Sequence, residues 1–144
     1  MTEQKTIQLT GQQIVNALTQ EKSRLESVQR SIASIQGLME EIFFAKEALK
    51  EVKKTKKGDQ AMVSLGVGVF LQVKIDEKTK VKTSLPGNVI IESKTDDAIA
   101  QLEEKEKDAQ EKLEELSKQQ QAIYANMNAL SQIVQKAQQA RKEQ

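Results

Sequence analysis

Apolar residues recur along this chain in steps of three and four, give way to a different rhythm in the middle, and then resume. The first run uses positions 18, 21, 25, 28, 32, 35, 39, 42, 46 and 49. Leu18, Leu25, Val28, Ile32, Ile35, Met39, Ile42 and Leu49 are apolar there, and Glu21 and Lys46 are not. The second run passes through Ile99, Leu102, Ala109, Leu113, Leu116, Ile123, Met127, Leu130, Val134 and Ala137, broken at Glu106 and Gln120. An apolar period of about 3.5 residues held over about five heptads is a coiled-coil seam, narrower than the stripe of a globular helix. Between the runs the period drops to two. Val69, Leu71, Val73 and Ile75 alternate with Phe70, Gln72 and Lys74, and Val81, Thr83 and Leu85 continue the alternation.

Local signals bound these elements. Thr10 and Gln13 have capping-box spacing, and Leu9 and Ile14 hold the two staple positions, so a helix is predicted over 10–57. Its last turn collects Lys53, Lys54, Lys56 and Lys57 before Gly58. Cations there oppose the negative end of the helix dipole, and glycine suits the left-handed position beyond it. At ~1.5 Å per residue such a helix is roughly 70 Å long. Strands are expected at Met62–Leu65, Val69–Ile75, Val81–Leu85 and Val89–Ile91, in two hairpins over 61–94. Leu85-Pro86-Gly87-Asn88 fits a type II turn with glycine at the positive-φ position. A second helix is predicted over 95–142, with Thr95 as cap and Asp96 and Asp97 in its first turn. The expected fold is α+β over a single domain, 1–144. It is a long antiparallel coiled-coil hairpin carrying two central β-hairpins.

Composition sharpens this picture. Charged residues make up 30% of the chain, aromatics 3%, and there is no Trp. A two-helix arm buries little surface per residue, and a sheet of about 30 residues cannot bury itself, so its open edges call for other chains. The expected solution is closure into an oligomeric β-barrel built from Val63, Leu65, Val69, Phe70, Leu71, Val73, Ile75, Val81, Leu85, Val89, Ile90 and Ile91. The chain's own caps and ends read as a complete unit rather than as an arm of a larger enzyme.

Several chemistries drop out. With no Cys and no His there are no disulfides, no usual zinc or iron ligands and no Cys- or His-based catalysis, so no metal and no cofactor is expected. Gly66-x-Gly68 lacks the rest of a phosphate loop and reads as a turn. The carboxylates sit on exposed helical faces with no pocket-forming sequence around them, so an enzyme is not expected. Net charge is +1, which argues against a dedicated nucleic-acid binder, and the Lys53–Lys57 run has no interleaved aromatics. No signal-peptide core and no membrane-length apolar run is present, which points to the cytoplasm. Opposite local charge favours pairing of the two helices: residues 10–57 hold nine basic and six acidic groups, and 95–144 hold seven and ten. Lys46 and Glu106 fall within about a layer of each other in such a hairpin. Both can snorkel to solvent, or they can meet as a register-setting pair. Glu21 and Gln120 would be solvated or would loosen the seam.

The order helix, two hairpins, helix resembles the alpha class of prefoldin subunits. The specific matches are Leu65-Gly66-Val67-Gly68-Val69-Phe70-Leu71-Gln72-Val73-Lys74-Ile75 and Val89-Ile90-Ile91-Glu92-Ser93-Lys94-Thr95-Asp96-Asp97-Ala98. The Leu85-Pro86-Gly87-Asn88 turn departs from the family's frequent Gly-x-Gly. The resemblance implies an ATP-independent holdase subunit that binds unfolded client proteins at coiled-coil tips and passes them to a chaperonin. It also implies assembly with beta-class subunits, with itself, or into filaments, the last being a structural alternative. The residues add one independent point: 119–135 carry no charge at all. Unbranched Met and long Gln side chains there suit adaptable binding. Leu9, Ile14, Val15 and Leu18 on the first helix, and Leu130, Ile133, Val134 and Ala137 on the second, are therefore the candidate client-binding residues, to be exposed by fraying of the last turns.

Overall fold

The structure is a computed structural model and describes residues 10–143. Its elements run α1 (Gly11–Lys54), β1 (Gln60–Gly66), β2 (Val69–Lys74), β3 (Lys80–Leu85), β4 (Val89–Lys94) and α2 (Thr95–Lys142). The expected order of two long helices around two antiparallel hairpins is thus the observed one. The chain divides into two units, Met1–Gln36 with Glu111–Gln144, and Gly37–Gln110.

The first unit is a helix pair held by an apolar seam. Val28, Leu116 and Ile123 are buried, with Leu25, Ile32, Ile35 and Met127 packed against them. Positions rise on α1 as they fall on α2, so the helices run antiparallel. The start of α1 is capped reciprocally: the Gln13 amide donates to Thr10 Oγ1 at 3.3 Å, and the Thr10 amide donates to Gln13 Oε1 at 2.8 Å. That is the capping box read from the sequence. Leu9, the outer half of the staple, lies outside the described residues.

The second unit holds the hairpins. β1 pairs with β2 and β3 with β4, as two separate two-stranded antiparallel sheets. Among the described residues every strand therefore has one unpaired edge. The helix α1 ends earlier than the lysine run predicts. Thr55 closes the last turn on the Val52 carbonyl, and Asp59 Oδ2 accepts from the Lys56 amide at 2.8 Å. Gly58, at φ +90°, then donates to the Ile75 carbonyl. Lys56 and Lys57 thus lie in the loop beyond the helix. Ile75, expected inside the second strand, instead follows β2 and ties this loop down through both of its backbone groups.

Thr95 also differs from its expected role. It is 2% exposed, its hydroxyl donates to the Lys78 carbonyl at 2.7 Å, and its amide donates to the Thr79 carbonyl. The residue clamps the start of α2 to the β2–β3 connection, leaving Asp96 and Asp97 to complement the dipole. Gly87 has φ +84°, as the second central position of a type II turn requires, and Asn88 is left-handed too.

Candidate assembly and client-binding surfaces

Because side chains alternate across a strand, pairing register assigns each residue to a face. In the first hairpin Ala61 lies opposite Val73 and Val63 opposite Leu71, so these four, with Val69, make one apolar face. The other face carries Gln60, Met62, Ser64, Phe70, Gln72 and Lys74, with Gln72 hydrogen-bonded to Gln60. The register breaks between Ser64 and Gly66, which leaves Leu65 as the extra residue of a bulge.

In the second hairpin Val81, Thr83, Leu85, Val89, Ile91 and Ser93 share a face, on which the Thr83 and Ser93 hydroxyls meet at 2.9 Å. Lys82 and Glu92 pair on the opposite face. The apolar face borders an open groove of about 710 Å³, whose other walls are Ala48 and Val52 of α1 and Ala98 and Leu102 of α2.

The expected assembly residues are mostly exposed in the single chain. Val63, Leu65, Val69, Phe70, Leu71, Leu85, Val89, Ile90 and Ile91 all are, while Val73, Ile75 and Val81 are half-buried. Two equally open neighbours escaped the sequence reading. Met62 shares the face of Phe70, and Val67 stands wholly exposed at the tip of the first hairpin. Val67 has φ +50° and Gly68 φ +78°, the paired positive values of a type I′ connection. A β-branched residue in that conformation is strained.

A second missed patch lies on α1. Phe43 and Phe44 are exposed, with ring centroids 5.7 Å apart in an edge-to-face arrangement, and Leu38 is exposed nearby in sequence. None of the three occupies a seam position, and that misfit with the heptad was the available signal.

The candidate client-binding residues fall into groups. Val15, Ile133 and Ala137 are exposed; Leu18, Leu130 and Val134 are half-buried; Ile14 is packed away at 5% exposure; Leu9 lies outside the described residues.

Among the described residues three ion pairs join different segments, those of Lys46, Lys53 and Lys57, while the others each lie within one helix. Lys46 Nζ lies 2.5 Å from Glu106 Oε2, and this hydrogen bond is the chief reason the Lys46 ammonium is held above the ordinary lysine range. Three lysines of the Lys53–Lys57 run form ion pairs: Lys53 with Asp96 at 2.5 Å, Lys54 with Glu51 at 2.7 Å and Lys57 with Asp76 at 3.4 Å. Near the start of β3 the Thr79 hydroxyl and amide both donate to Glu77 Oε1, and these bonds lower the Glu77 carboxyl. Among the described residues no group of three or more His, Cys, Asp or Glu could hold a metal ion. No described helix is long and apolar enough to cross a membrane.

Comparison with known proteins agrees with this architecture. The family model described as Prefoldin subunit matches residues 22–140. The prefoldin subunit alpha of Thermofilum pendens is 28% identical over 80 residues, which are 56% of this chain and 62% of that relative. The match thus spans less than two thirds of that relative's length. Among solved structures, the fold is similar to the filamentous PFD from Methanocaldococcus jannaschii seen by cryo-EM. The TM-score is 0.69 at 19% identity, over 80% of this chain and 95% of that one. It is also similar to the prefoldin beta subunit from Thermococcus strain KS-1, with a TM-score of 0.54 at 20% identity, over 88% and 90%. At these identities the likeness is one of fold.

Proposed function

Because this chain belongs to the prefoldin family, whose members are chaperones rather than enzymes, we propose that it is a subunit of an ATP-independent holdase. The hairpins assemble with other prefoldin-type chains or with further copies of this one, closing their open edges into a barrel. The distal helix ends take hold of unfolded polypeptide and yield it to a chaperonin in the cytoplasm, with no part for nucleic acid or membrane. The observation that carries this reading is the exposed apolar surface on both hairpins, each strand of which keeps an unpaired edge. Clustering several arms on one platform makes weak tip contacts add through effective concentration.

The alternative is a filament or scaffold. What favours it is that one chain offers two separate hairpins, each with free edges. A heterologous contact that does not close generates an open polymer.

Light scattering across a concentration series, paired with suppression of thermal aggregation of a model client, tests both. A discrete oligomer that suppresses aggregation supports the holdase, and long polymers without suppression support the scaffold. Val63→Lys with Leu71→Lys should abolish assembly. Val15→Glu with Ile133→Glu should leave assembly intact and impair suppression. Unchanged suppression in that second pair would remove the tip from the mechanism.

A further inference from the structure

Glu21 occupies a seam position of α1, and its side chain is only 14% exposed. Oε1 accepts from Arg24 Nη1 at 2.9 Å, while Oε2 is sealed from solvent and meets no donor among the described residues. Among the described residues of the opposite helix no cation faces it, and the exposed Ser131 and Gln132 make no bond to it. Gln29 Nε2 donates to Tyr124 Oη at 3.5 Å, and this antiparallel register carries Glu21 to the level of Leu130–Val134. That level falls within the 119–135 stretch, which contains no charged residue. A carboxylate oxygen shut away without a partner opposes closure of the seam, because water would bond it if the helices parted.

The seam is unequal on the two sides of this point. Inward lie Val28, Leu116 and Ile123 with their packed neighbours. Outward, among the described residues, only Ile14 is buried, Leu18 and Val134 are half-buried, and Val15, Ile133 and Ala137 are exposed. The outward pairing thus has little burial to lose on opening, and opening satisfies Glu21.

We infer that Glu21 sets where the two helices part. It acts as a hinge layer beyond which Gly11–Gln20 and the facing end of α2 open as one unit while the inner seam stays closed. Opening there exposes Ile14, Leu18 and Val134 beside the already open Val15 and Ile133, enlarging the apolar surface at this end. The use of that surface rests on the client-holding function proposed above; the hinge itself does not.

Hydrogen exchange on the full chain in its assembled state tests the hinge, with aggregation suppression measured alongside. Amides of 11–20 and 131–142 should exchange faster than those of 25–35 and 113–127. Glu21→Leu should slow the outer amides roughly tenfold by removing the orphaned acceptor. Gln120→Leu, at the other polar seam position of α2, should leave the outer amides unchanged. Suppression should fall with Glu21→Leu. Outer amides that do not respond to Glu21→Leu, or respond equally to Gln120→Leu, would overturn the hinge. Slowed amides with undiminished suppression would uphold the hinge and overturn client holding at this surface.

Discussion

Lys46 Nζ and Glu106 Oε2 stand 2.5 Å apart across the two helices of the hairpin-bearing unit, each at a polar position of its own seam. Apolar layers tolerate sliding by a heptad because one layer resembles the next, whereas a single charged layer meets its partner in one alignment only. Glu47 and Glu103 also lie close enough to act on Lys46. Lys46→Glu should therefore lower the thermal midpoint by placing like charges together, as should Glu106→Lys. The double exchange, Lys46→Glu with Glu106→Lys, should recover most of the loss. Circular dichroism melts of the four proteins decide it, and equal melts for single and double variants would mean the pair sets nothing. The pH dependence has a definite sign. Lys46 is raised in the folded chain, so its contribution is complete below the ordinary lysine range and disappears as the pH climbs through the raised value.

Burial separates two isoleucines of α2 that share β-branching and helix. Ile123 is 1% exposed in the apolar cluster, and Ile133 is 43% exposed. Ile123→Ala removes methylenes from a packed layer and should cost about 2–5 kcal/mol in urea unfolding. Ile133→Ala should stay within about 0.5 kcal/mol of the parent. Similar losses at both positions would mean that Ile133 is covered in solution, and its place among the client-binding candidates would have to be reconsidered.

The helices, the two-hairpin centre and the capping box were legible because each is written in neighbouring residues: a heptad, an alternation, a Thr-x-x-Gln. Even the meeting of Lys46 and Glu106 could be anticipated, since a straight hairpin converts sequence position into height. What could not be read depends on distant partners. Thr95 looks like a cap until Lys78 and Thr79 are brought beside it. Ile14 and Val15 are adjacent and equally apolar, yet one is buried and the other exposed, because facing the second helix is a matter of orientation rather than composition. Phe43 and Phe44 stand off the seam in plain view, but an apolar residue outside the seam does not say what it is for.

Glu77 gives the acidic counterpart to Lys46. The Thr79 hydroxyl and amide bond to its carboxylate and lower it, so this contribution is present above the ordinary carboxyl range and vanishes as the pH falls through the depressed value. Thr79→Val removes the larger of the two causes while keeping side-chain shape. A carbon-detected NMR titration should show the Glu77 carboxyl moving back up toward its ordinary value. No movement would mean that the backbone amide alone is responsible.

Val67 offers a case where the local and collective requirements of the chain pull apart. Its φ of +50° suits Asn far better than a β-branched side chain, and Gly68 already supplies the second half of a type I′ turn. Val67→Asn should therefore stabilise the first hairpin by about 1 kcal/mol, the low end of what such backbone strain costs. The gain should appear as a higher urea midpoint under conditions where the chain is not assembled. If the hairpins pack against other chains through their exposed apolar tips, the same substitution removes the most exposed large apolar side chain among the described residues and should weaken assembly in light scattering. A higher midpoint together with weaker assembly would mean that valine is kept for its surface at the expense of its turn. A higher midpoint with unchanged assembly would leave the strain at Val67 without a purpose in the interface, and a lower midpoint would show that the turn is not the type I′ connection its dihedral angles describe.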